Sequence, residues 1–133
     1  MRTRLAMFLV LVAGIAASVA IAAPDKVTSP FVDEATTLGI VQGEATLDPR
    51  PQGGEIMLHA KLSGLEPNQA YTVVILSEAV ACGGGEILEE IQFVSTPSGN
   101  ANLNRKVAED ITLIGSVAIR VQGLDTSVAC ADF

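Results

Sequence analysis

The sequence predicts an all-β sandwich of about seven or eight antiparallel strands, and three observations lead there. Apolar residues recur at period two in short segments, the spacing of a strand with one covered face. Gly, Pro and Asn cluster between those segments, where turns need fixed or positive φ. Beyond the amino-terminal run, no stretch carries an amphipathic helical period long enough for a major helix.

The elements follow in order. Residues 27–38 and 43–47 supply one or two strands, and Pro49, Pro51, Gly53 and Gly54 then reverse the chain. Residues 55–62 alternate, with Ile56, Leu58, Ala60 and Leu62 on one face and Met57, His59 and Lys61 on the other. A second turn joins Gly64, free to take positive φ, to the fixed φ of Pro67 and to Asn68, which tolerates the left-handed region. Residues 71–76 form a β-branched run (Thr72, Val73, Val74, Ile75), too continuous for one wetted face, which predicts a central strand covered on both sides. Residues 87–94 and 101–107 flank the turn-rich 95–100 and read as a hairpin. Residues 116–121 are the last clear strand.

At the amino end, Arg2 and Arg4 precede an uncharged apolar run from Leu5 to Ala23 that exits through small residues. Basic, apolar and small-residue regions in that order make a secretory signal, placing residues 1–22 as a signal peptide cut after Ala22. The competing reading is an uncleaved anchor, since a run of about 18 apolar residues can also span a bilayer. The absence of a basic flank beyond the run favours cleavage. Residues 23–39 then form an amino-terminal segment with a first strand, and residues 40–133 a single sandwich domain. Removal of the signal leaves 111 residues with six Lys/Arg against fifteen Asp/Glu, a net charge of −9. That charge argues against nucleic acid and anionic membranes as partners, because both recruit clustered cations. The placement is extracytoplasmic, secreted or periplasmic, with no stable membrane insertion once the signal is gone.

Cys82 and Cys130 both lie beyond the signal, in a chain read as exported, so a disulfide between them is expected. It closes a loop of about 48 residues, for which chain entropy gives about 4 kcal/mol of stabilisation. A free nucleophilic thiol or a metal pair would need a neighbouring His or a second Cys cluster, and neither stands near these positions.

Five fragments in collinear order give the chain a resemblance. Residues 41–47 (VQGEATL) resemble the opening VQG-x-x-x-F strand of the copper/zinc superoxide dismutases, and residues 62–68 (LSGLEPN) resemble the G-L-x-P-G turn before that family's copper-binding strand. Residues 98–101 (SGNA) are similar to its D-G-x-A hairpin, 114–119 (IGSVAI) to its I-G-R-T-L-V strand, and 127–131 (SVACA) to its S-R-L-A-C-G ending. The resemblance spans about residues 40–133 and implies an eight-stranded Greek-key sandwich, with Cys82 and Cys130 at the family's disulfide positions.

Departures from the family pattern shape the expected function. Matched without a gap, the family's copper-binding H-x-H pair falls on Val73 and Ile75, its bridging histidine on Leu88, its last copper ligand at Arg120 or Val121, and its active-site arginine near Ser127. Hydrocarbon side chains cannot coordinate a metal ion. Eleven residues between Cys82 and Val94 leave no room for the family's zinc loop, and residues 122–126 replace its long charged loop. One His in the whole chain cannot build a copper site made mainly of imidazole, and the net negative charge would repel superoxide.

Other candidates have plainer readings. His59 reads as a surface or edge residue. Cys82 followed by three glycines reads as a flexible turn rather than a phosphate cradle, which Glu86, Glu89 and Glu90 would oppose. Those glutamates with Asp125 match no recognised calcium loop, and Asn100, Asn102 and Asn104 read as a solvated face or a pairing edge. No triad-type constellation surrounds His59. The reading is thus a non-catalytic exported domain without cofactor, catalytic residue or metal ligand, acting on an unidentified protein or small-molecule partner. A homodimer through apolar sheet surface stays open. The alternatives are a dismutase or other metal protein with a rearranged site, and a chordin-type binding domain, which also uses a G-L turn in a secreted sandwich.

Overall fold

The computed structural model describes residues 25–33, 41–51, 53–78 and 85–133. Residues 1–22, expected as a signal peptide, and Cys82, Gly83 and Gly84 lie outside the described residues. Within them are nine strands: β1 (Val27–Pro30), β2 (Val32–Asp33), β3 (Gln42–Pro49), β4 (Ile56–Ser63), β5 (Ala70–Leu76), β6 (Ile87–Val94), β7 (Ala101–Val107), β8 (Ser116–Val121) and β9 (Ser127–Asp132). One antiparallel sheet has the order β1-β3-β4-β7 and the other β2-β9-β8-β5-β6. The two pack as a β-sandwich, the predicted fold class, and a single turn of 3₁₀ helix at Ile111–Leu113 is the only helical element among the described residues.

Alternation sets the packing. In β4, Ile56, Leu58, Ala60 and Leu62 are buried, and they meet Leu47, Tyr71, Val73, Ile75, Val117 and Ile119 in one core between the sheets. Each Val, Leu or Ile among them removed from water contributes about 1.5–3 kcal/mol, which makes the intersheet layer the main support of the domain. β5 is central and covered on both sides, as its β-branched run requires. Tyr71, Val73 and Ile75 face the core, while Val74 and Leu76 join Ala118 and Cys130 in a second buried cluster on the opposite face.

Three elements differ from expectation. The amino-terminal strand is divided at Phe31, which is buried and donates its N–H to the Gly43 carbonyl at 2.9 Å. β1 then pairs with β3 while β2 pairs with β9, so one segment serves both sheets. β9 was not anticipated as a strand: Ala129, Cys130 and Ala131 are all buried and give no polar–apolar alternation.

The third difference is that β6 and β7 are not a hairpin. β6 pairs with β5 and β7 with β4, so residues 95–100 carry the chain from one sheet to the other. The reason lies in their bonds to the preceding crossover. Leu65 N–H donates to the Gly99 carbonyl at 3.0 Å, Ser95 N–H to the Gln69 carbonyl at 3.0 Å, and the Ser95 hydroxyl to the Glu66 carbonyl. The two crossovers thereby lock together at one end of the sandwich. Gly99, at φ +76°, is needed there, since a Cβ would stand 2.2 Å from the Leu65 carbonyl oxygen.

Candidate functional site

The positions carried over from the dismutase motif are scattered between core and surface. Val73 and Ile75 are fully buried and project into the space between the sheets. Leu88 is a partly buried residue packed against the same core. Arg120 and Ser127 are cross-strand partners on β8 and β9, and Val121 packs against the core. Hydrogen-bonding geometry around Val73 and Ile75 is that of a central strand, with β8 on one side and β6 on the other. What this environment can do chemically is exclude water. No group of three or more His, Cys, Asp or Glu is gathered among the described residues.

His59 lies in the middle of its sheet, between β3 and β7, on the outer face. Its Nδ1 hydrogen-bonds the Asn104 side-chain oxygen across the strands. On the same rung Thr28 pairs with Thr46 through their hydroxyls at 2.8 Å. Lys61, Glu44 and Asn102 share the next register position. The outer face of this sheet is therefore a polar ladder, in which His59 bonds to Asn104 and Thr28 to Thr46. Asn102 and Asn104 are exposed on it, as their period-two spacing predicts.

The acidic residues do not form one cluster. Glu89 and Glu90 are successive residues of β6 and so point to opposite faces. Glu86 belongs to the closure before β6, where its N–H donates to the Ser77 hydroxyl at 2.8 Å and Ser77 N–H donates to its carbonyl at 3.0 Å. Glu90 and Asp125 do come together, in a recess of about 240 Å3 on the outer face of the five-stranded sheet that also contains Arg120. Arg120 Nε is buried there without a hydrogen-bond partner. Sequence reasoning missed this grouping because its members come from β6, β8 and the β8–β9 turn. Only the register that sets Thr72 opposite both Arg120 and Gln92 brings them into one place.

Cys130 sits in β9 with Ala118 of β8 and Val32 of β2 as its lateral partners, and its side chain is in the second buried cluster. There is no free cysteine among the described residues. Ser116, beside this cluster, donates its hydroxyl to the Glu78 carbonyl at 2.7 Å, fixing the chain as it leaves β5.

No protein-family model matches the chain, and no curated protein matches it.

Proposed function

We propose that this chain is an exported, non-catalytic sandwich of the superoxide dismutase-like kind that acts by binding or structural association. One observation carries the reading: hydrocarbon side chains sealed in the intersheet core occupy the positions that the resemblance gives to the copper-binding pair, Val73 and Ile75. An ion there would be desolvated with no donor to replace its water, and that cost falls wholly on binding.

Connectivity supports the family part of the proposal. β7 returns beside β4 after β5 and β6, and β8 returns beside β5 after β6 and β7, non-local returns of the kind that the proposed Greek key requires. The five resembling fragments fall on β3, the β4–β5 crossover, the β6–β7 crossover, β8 and β9. A Cys82–Cys130 bond is part of the proposal, tying the β5–β6 connection to β9 at the second buried cluster. So are the signal peptide and the extracytoplasmic location.

The test uses purified protein incubated with copper and zinc salts, followed by metal analysis and a superoxide dismutation assay. The proposal expects neither stoichiometric copper nor activity; both together would replace it with a dismutase of rearranged site. Mass measurement before and after reduction and alkylation reads the Cys82–Cys130 bond, and amino-terminal sequencing of the exported form reads the cut after Ala22.

A further inference from the structure

We propose that the recess at Arg120 is a binding site for a small zwitterion, an α-amino acid whose carboxylate meets the guanidinium and whose ammonium meets Glu90 and Asp125. The proposal deepens the reading of this chain as a binding domain and rests on it.

The recess brings one guanidinium and two carboxylates into about 240 Å3. Neither carboxylate forms an ion pair with Arg120, whereas Lys106 pairs with Glu55 at 3.1 Å on the other sheet. Arg120 is thus not neutralised by the acids beside it, and its Nε–H is buried and unpaired. A guanidinium whose terminal Nη groups have no ion-pair or hydrogen-bond partner among the described residues fits a carboxylate, which can accept two parallel hydrogen bonds from them.

Charge then selects among carboxylates. Arg120 against Glu90 and Asp125 leaves the recess one unit negative, so a simple anion meets net repulsion. A molecule with an ammonium group beside its carboxylate is complementary to both signs. Thr72, Gln92 and Gln122 also line the recess and offer neutral donors and acceptors around the charged pair. The volume suits a molecule of amino-acid size, since a water occupies about 30 Å3 of liquid.

Isothermal titration of the purified full chain tests this with glycine and L-alanine as probes, acetate and methylammonium as half-ligands, and Gly-Gly-Gly to separate a free amino acid from a peptide. The expected result is saturable binding of the two amino acids, with acetate, methylammonium and the tripeptide at least about tenfold weaker, a difference of about one unit in log affinity. Arg120→Lys, which keeps charge but loses the fork, and Arg120→Met should each weaken glycine at least about tenfold. Glu90→Gln, on an exposed position of an edge strand, should weaken glycine while strengthening acetate. Circular dichroism confirms that each variant is folded, and Glu90→Gln keeps the test open if the Arg120 variants are not. Absence of saturable binding by either amino acid, acetate binding as well as glycine, tripeptide binding as well as glycine, or unchanged glycine affinity in folded Arg120→Met would each overturn the proposal. Copper loading with dismutase activity would instead overturn the reading beneath it, so the two failures are distinguishable.

Discussion

Replacing Ile75 by His asks whether an imidazole can stand where the dismutase resemblance would put one. Ile75 is fully buried between β8 and β6 and faces the intersheet core. Loss of the buried aliphatic removes about 1.5–3 kcal/mol. An imidazole in the same place brings a polar N–H and a lone pair with no partner, at a further cost of about 1–3 kcal/mol. The expected destabilisation of Ile75→His is therefore about 2.5–6 kcal/mol, a large part of the roughly 5–15 kcal/mol of a typical domain. Ile75→Val, which removes one methylene and adds no polar group, should cost only about 0.5–1.5 kcal/mol. Urea unfolding followed by far-ultraviolet circular dichroism measures both at neutral pH. Burial disfavours the imidazolium, so the folded-state pKa of the new His falls below its unfolded value of about 6.5. Stability of the variant is then highest above about pH 6.5 and declines as pH falls through that value. An Ile75→His protein within about 0.5 kcal/mol of the parent, or one that acquires tightly bound copper, would refute the reasoning.

Three further outcomes follow from single contacts. Gly99→Ala places a Cβ 2.2 Å from the Leu65 carbonyl oxygen at φ +76° and should cost about 2–4 kcal/mol in urea unfolding. Gly53→Ala, at φ +72° with nothing within 4 Å, should cost only the backbone penalty of about 1–2 kcal/mol, and equal losses would show that the crossover contact is unimportant. Tyr71→Phe deletes the oxygen that accepts the Glu66 N–H at 2.9 Å while leaving the ring stacked on Phe93 at 5.6 Å. The expected loss is about 1–2 kcal/mol, and an unchanged midpoint would remove the bond from the account. Asp110 caps the 3₁₀ turn, and hydrogen bonds from the Thr112 backbone N–H first and then its hydroxyl hold the carboxyl below its ordinary value. Its contribution is present above the ordinary aspartate range near about pH 4 and lost as pH falls through the folded-state value. The gap in urea midpoint between the parent and Asp110→Asn should accordingly be seen at about pH 6 and narrow as pH falls below about 4; a gap that grows in acid would reverse the sign.

Where burial and strand period coincide, the fold was legible from residues alone. The alternation in β4, the doubly covered β5 and the bounds of β8 all match the structure. The turn chemistry was equally direct, with Asn68 at φ 53° and Gly64 at φ 78° taking the left-handed conformations that their types allow. β9 was not legible because Ala and Cys bury little surface and leave no contrast with their neighbours. The β6–β7 crossover was misread because a turn-rich connection looks the same whether it joins neighbours in one sheet or strands in two. What separates the cases is Ser95 and Gly99 bonding to residues 65–69, a long-range fact that no local pattern carries. The same holds for the recess at Arg120, whose members are assembled by strand register.

Equilibrium dialysis of the purified protein against copper and zinc, with bound metal counted per chain and superoxide dismutation measured on the same sample, tests the central claim most directly. The account predicts substoichiometric copper and a rate no faster than that of a buffer blank. One tightly held copper per chain together with catalysed dismutation would contradict it.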